Sequence, residues 1–85
     1  MATQQPPART VLTRTRARYD ELRPSERRIA DALLADPEGF AARSIGEIAS
    51  AASTSTTTVV RFTRTLGFER FRDLRRALTE QNLRE

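Results

Sequence analysis

The stretch Ser44–Phe68, SIGEIASAASTSTTTVVRFTRTLGF, decides the fold. Its first residue can cap a helix, because a serine hydroxyl accepts from the amide of the third helical residue while Glu47, at that position, reaches back to the Ser44 amide. Ile45, Ile48, Ala49 and Ala52 then recur at helical spacing. The run dissolves at Ser53-Thr54-Ser55, short polar residues that suit a turn and a fresh N-cap. A second helix is predicted from Thr56 to Leu66. Gly67 closes it, since glycine accepts the left-handed conformation favoured just past a helix C-terminus, and Phe68 can fold back on Phe62 or Thr63. A short helix, a tight turn and a second helix with a polar start are the parts of a DNA-binding helix-turn-helix.

What the second helix presents follows from rotation. With Thr56 at zero and about 100° per residue, Val59, Phe62, Thr63 and Leu66 fall at roughly 300°, 240°, 340° and 280°. Thr57, Val60, Arg61 and Arg64 fall at roughly 100°, 40°, 140° and 80°. The first group is core. The second offers a hydroxyl, a small apolar group and two guanidinium forks, all able to read a major-groove edge or hold a phosphate. For one helix in isolation, the plainer account is an amphipathic helix with a solvated face.

Outward from this stretch, a helix is expected over Val11–Leu22, with Leu12, Tyr19 and Leu22 on one side and Arg14, Arg16 and Arg18 mostly elsewhere. Its apolar stripe is thin, so it either caps the core or pairs with a second copy. The next helix has Pro24 in its first turn, Ser25 able to cap, Glu26 near the positive end, and Ile29, Ala30, Leu33 and Leu34 as a buried face. It stops before Pro37, and Pro37–Phe40 reads as a short turn or a single helical turn, with Phe40 plugging the space beneath the helix-turn-helix. Asp36 and Glu38 are solvated loop acids rather than a catalytic pair, for want of a third ligand or base nearby. After Phe68, the residues Phe71, Leu74 and Leu78 make a stripe expected to pack on either helix of the motif. Arg72, Arg75 and Arg76 emerge to one side of it, where they could hold a DNA backbone. The plainer account there is solvation, with Asp73 pairing to Arg76.

The 85 residues allow one domain with a modest core. With neither cysteine nor histidine, disulfides, thiol catalysis and the commonest zinc ligands are excluded. The longest apolar run falls far short of a membrane span, and the N-terminus lacks the apolar centre of a secretion signal. No glycine-rich phosphate loop, nucleophile with a base, or metal-ligand spacing appears, so no catalytic residue, metal ligand or cofactor is assigned. The net charge of +4 is uneven. Residues 1–28 carry seven Arg against three acids, 29–54 one against four, and 55–76 six against two, so positive charge brackets the second helix of the motif. A polyanion suits such a pattern, since neutralising phosphates releases counterions. All fifteen basic residues are arginine, a choice that a GC-rich coding bias would also produce.

From Ser44 to Leu74, SIGEIA, a turn, and then TTTVVRFTRTLGFERFRDL closely resemble the N-terminal domain of RpiR-type (MurR/RpiR) bacterial transcriptional regulators. PSERRIADALLADPEGF, Pro24–Phe40, is similar to the same domain, and the resemblance runs from about Leu12 to Leu78. Its most specific part is Arg61-Phe62 followed by Leu66-Gly67-Phe68. The resemblance implies a cytoplasmic, nucleoid-associated homodimer on operator DNA, with a phosphosugar effector held by a C-terminal sugar-isomerase-type (SIS) domain if the chain is part of a longer regulator. This chain departs from the family pattern at Ser53-Thr54, where glycine and an apolar residue usually stand, at Val60, usually small and polar, and at Glu69, usually serine.

The reading is thus an all-α domain, a small helical bundle containing a helix-turn-helix and no wing. Residues 1–10 form a flexible tail, 11–80 the DNA-binding domain with 44–68 as its motif, and 81–85 a C-terminal end. The candidate DNA-contacting set is Ser44, Ser55, Thr56, Thr57, Val60, Arg61, Arg64, Arg72, Arg75 and Arg76, the serines included because short hydroxyl residues serve both caps and phosphate contacts. The rival from another class is a protein-interaction or dimerisation module with a basic surface, which would need an exposed apolar patch among Leu12, Tyr19, Val60 and Leu83.

Overall fold

Prolines and short polar residues divide this chain into short helices rather than a few long ones. The computed structural model describes residues 7–84, with side chains over 11–80. In chain order they form α1 (Pro7–Arg18), a 3₁₀ turn (Tyr19–Glu21), α2 (Pro24–Ala35), α3 (Pro37–Ala42), α4 (Ile45–Ala51), α5 (Thr56–Thr65) and α6 (Phe71–Arg84). The fold is all-α, and no strand, hence no wing, occurs among the described residues.

Most helix starts follow the local chemistry. Ser44 Oγ accepts from Glu47 N at 3.1 Å while the Glu47 carboxylate accepts from Ser44 N at 2.8 Å, the reciprocal cap expected. Asp36, read from sequence as a loop acid, caps α3 by accepting from Gly39 N at 3.1 Å. Two starts differ from expectation. Helix α2 begins at Pro24 with Arg23 as N-cap, so Ser25 lies inside the first turn, and Glu26 instead accepts from Arg23 N at 3.1 Å. Proline's fixed φ suits the first helical position and sets that start. For the same reason α1 starts at Pro7 rather than Val11, taking residues 7–10 from the expected tail. The rest of that tail, 1–6, lies outside the described residues.

One core unites the helices: Val11, Leu22, Ile29, Leu33, Phe40, Ile48, Val59, Phe62, Leu66, Leu74 and Leu78 are all buried. Helix α1 caps this core by packing most extensively on α6, and α6 also packs on α3 and α5, so the chief partner of the last helix is neither helix of the motif. The buried line of α1 is also not the one expected. It runs through Val11 and Thr15, both 0% exposed, whereas Leu12 and Tyr19 are half-buried against the core edge. Thr15 tolerates the interior because its hydroxyl donates to Val11 O at 2.7 Å, leaving its methyl to pack. Phe40 meets Phe71 of α6 with ring centroids 6.0 Å apart, a tilted contact.

Helices α4 and α5 end alike. After α5, Gly67 N donates to Arg64 O at 2.9 Å and Phe68 N to Thr63 O at 3.2 Å, with Gly67 at φ 97°. After α4, Ser53 N donates to Ser50 O at 3.1 Å and Thr54 N to Ala49 O at 2.8 Å, with Ser53 at φ 56°. Both are the paired closure that wants a left-handed residue, and in the second a serine supplies it against the clash of its Cβ. Relieving that clash, Ser53→Gly is expected to stabilise the domain by about 0.5–1 kcal/mol, less whatever the freer unfolded glycine offsets. Urea unfolding measures it, with Ser53→Ala as the reference that keeps a Cβ, and a glycine variant no more stable than the alanine one would refute the strain at Ser53.

The chain's one tyrosine gives a second handle. Tyr19 OH donates to Asp31 Oδ1 at 2.7 Å, and that hydrogen bond, with the carboxylate's charge, raises the phenol pKa. Because the folded value lies above the unfolded one, the bond's stabilisation is complete below about pH 10 and is lost as pH rises through the folded value. Tyrosinate absorbance should therefore rise at higher pH in the folded chain than in urea, and Asp31→Asn should close most of the gap. Identical midpoints in both states would exclude the bond.

Candidate nucleic-acid interface

Helix α5 is two-sided in the way its rotation dictates. Val59, Phe62 and Thr63 are fully buried along with the C-cap Leu66, and Thr58 is nearly so. The opposite side holds Thr56, Thr57, Arg61 and Arg64, all exposed, and Val60, half-buried. Burial of one stripe against α2, α4 and α6 leaves the other exposed among the described residues. Thr57, Val60, Arg61, Arg64 and Thr65 together line an open depression along this face.

Thr65 was not in the set read from sequence. The same rotation carried on puts it at about 180°, beside Arg61, so the pattern contained it. Its hydroxyl donates to Arg61 O at 3.1 Å.

The start of α5 is built from hydroxyls. Ser55 Oγ accepts from Thr58 N at 3.2 Å and lies 3.1 Å from Thr58 Oγ1. This satisfies one amide of the first turn and leaves the exposed Thr56 and Thr57 at the positive end of the helix dipole. Ser44 sits at the start of α4, exposed, with its hydroxyl engaged by Glu47 N.

Electrostatically the face is one-signed. Arg61 and Arg64 stand three residues apart on the same side, and Thr56–Thr65 contains no acid. Like charges at this spacing cost a helix about 0.2–0.5 kcal/mol, so local stability does not explain them. Among the described residues the one ion pair is Arg18 with Glu21 at 4.0 Å, elsewhere in the chain.

The arginines of α6 divide. Arg72 and Arg76 are exposed, and the expected Asp73–Arg76 pair does not form. Arg75 faces inward: its Nη2 donates to Arg43 O at 2.8 Å, its guanidinium carbon lies 4.9 Å from the Phe71 ring centroid, and its Nε is buried with no hydrogen-bond partner. Sequence could not separate it from its neighbours, because rotation reports direction on a helix and not what another helix brings to meet it. Of the apolar residues a protein-docking patch would need, Leu12 and Tyr19 pack on the core and Val60 is half-buried, while the side chain of Leu83 lies outside those described.

Comparison with known proteins bears on this geometry. The model of the helix-turn-helix domain of the rpiR family matches residues 9–84. Similar sequences include the HTH-type transcriptional regulator YfhH of Escherichia coli, uncharacterized, 38% identical over 81% of this chain and 24% of its own length. An uncharacterized HTH-type transcriptional regulator of Thermotoga maritima is 34% identical over 82% of this chain and 25% of its own. The HTH-type transcriptional regulator HexR of Pseudomonas aeruginosa is 33% identical over 85% and 25% respectively. The chain thus spans about a quarter of the length of these relatives. No solved structure matches.

The α5 cap can be tested apart from any ligand. Ser55→Ala should cost about 1 kcal/mol of stability, read by thermal unfolding, with Ser55→Asp largely sparing it. Equal losses in both variants would show that the cap hydrogen bond contributes little.

Proposed function

The chain belongs to the rpiR family of helix-turn-helix domains, and on that premise we propose that α5 enters the major groove of double-stranded DNA as the reading element of a bacterial transcriptional regulator. The observation that carries this is the face of Thr57, Arg61 and Arg64, exposed, with Val60 half-buried among them: one-signed and without an acidic partner among the described residues, on a helix whose other side is buried. Arg64 and the small side chains reach base edges, where a guanidinium fork matches guanine and a valine methyl suits thymine. Arg61, Arg72 and Arg76 hold phosphates, joined by Ser55, Thr56 and, at the start of α4, Ser44.

A single copy reads few base pairs. A homodimer, two copies of α5 on half-sites about one helical turn apart, would supply the affinity a regulator needs, working on cytoplasmic DNA. The phosphosugar effector suggested by the family resemblance concerns an SIS-type domain, and no residue of this chain is assigned to it.

Base reading and phosphate holding predict different losses. Arg64→Ala should lose about 1–3 kcal/mol on duplexes selected by the wild-type chain and little on random DNA, whereas Arg72→Ala should weaken both alike and lower the salt slope by roughly 1. Fluorescence anisotropy at several salt concentrations separates them. Equal losses on selected and random duplexes for Arg64→Ala would remove its base-reading role.

A further inference from the structure

The helix-turn-helix unit joins the rest of the chain at its entry, its turn and its exit, and at each a backbone carbonyl accepts from an arginine rooted outside the unit. At the entry, Arg75 of α6 donates through Nη2 to Arg43 O at 2.8 Å. At the turn, Arg28 of α2 donates through Nε to Ala52 O at 2.8 Å and through Nη2 to Ser53 O at 3.3 Å. At the exit, Arg14 of α1 donates through Nη1 to Leu66 O at 2.6 Å. Two of these guanidinium groups are also seated on aromatic rings, Arg14 5.6 Å from the centroid of Phe68 and Arg75 4.9 Å from that of Phe71. The guanidinium lies close over Gly67, where a Cβ would stand 2.6 Å from Arg14 Nη1 and displace it. None of these arginines belongs to an ion pair among the described residues.

We infer that Arg14, Arg28 and Arg75 are positioning residues, a frame that sets the pose of α5 against the other helices and thereby its discrimination between base pairs, without touching DNA. This rests on the DNA-reading proposal above. Helices as short as α4 and α5, of seven and ten residues, are marginal alone and depend on tertiary contacts, to which these bonds at their ends add direction. Their C-terminal carbonyls carry partial negative charge, so a cation there makes a charge-assisted bond at a joint whose movement would tilt the reading helix. Arginine is the residue for the turn, because its planar fork reaches two successive carbonyls where a lysine ammonium offers a single point. Base-edge hydrogen bonds tolerate only a few tenths of an ångström, whereas phosphate contacts from long exposed side chains follow a tilted helix. Loosening the frame therefore lowers specificity and spares general affinity.

The test uses Arg28→Lys, Arg28→Met and Arg14→Lys in the 85-residue chain, on a duplex selected by the wild type from a random library and on random duplexes of equal length, across a salt series. Circular dichroism fixes a temperature at which each variant is folded, and the lysine variants remain informative if Arg28→Met unfolds. The expected result is a loss of roughly tenfold in the selected-over-random ratio for Arg28→Lys, the scale of one mismatched base pair, with an unchanged salt slope. A uniform loss with a slope shallower by about 0.9 in Arg28→Met, largely restored by lysine, would make Arg28 a phosphate contact and overturn the frame. A lower melting temperature with full discrimination would make it a stability device only, and overturn it equally. Wild type that selects no preferred duplex would remove the DNA-reading proposal and the frame together, an outcome visible before any variant is made.

Discussion

Short helices have a problem at their ends, and this fold is built around its solution. Each α-helix leaves up to about four carbonyls without an internal partner at its C-terminus, so for helices the length of α4 and α5 those groups are a large share of the backbone. Here both ends fold back through a left-handed residue, Ser53 in one and Gly67 in the other, and both then receive a guanidinium from a surrounding helix. Arg27 does the same for the 3₁₀ turn, donating to Tyr19 O at 3.1 Å and to Asp20 O at 2.9 Å. The joints of the bundle are thus hydrogen-bonded by side chains as well as packed.

Those joints let a small core do more than hold the chain together. Phe62, Val59 and Leu66 pin one side of α5 against the bundle, and the buried Thr63 is tolerated there because its hydroxyl donates to Val59 O at 2.9 Å. With one side over-determined, the other is free to carry what local stability would not select: adjacent guanidinium groups with no acid to balance them. A rule broken locally without structural compensation is where a ligand is expected to supply it, and a polyanion is the ligand of that sign.

The arginines also show why net charge alone is a coarse guide. Counted along the chain, they bracket the motif as a single basic field. In three dimensions they part into a group whose forks are engaged by carbonyls, Arg14, Arg27, Arg28 and Arg75, and a group that points into open space, including Arg61, Arg64, Arg72 and Arg76. The first group has part of its hydrogen-bonding capacity already engaged within the chain, so the basic field is more directional than the composition implies.

Much of this was legible in the residues themselves, because it depends on interactions a few positions apart. The cap at Ser44 and Glu47, the turn at Ser53–Ser55, the closure at Gly67 and the two sides of α5 are all matters of local hydrogen bonding and a fixed 100° rotation. What the tertiary structure alone decided depends on separations that no local rule spans. It set α1 against α6, brought Thr15 rather than Leu12 to full burial, and carried the Arg14, Arg28 and Arg75 side chains to carbonyls 52, 24 and 32 residues away along the chain. A threonine is polar by composition but can be satisfied within its own helix, and an arginine is a surface cation by composition but a cap when a helix end is placed before it. Periodicity tells which way a side chain points; only the packed chain tells what is there to meet it.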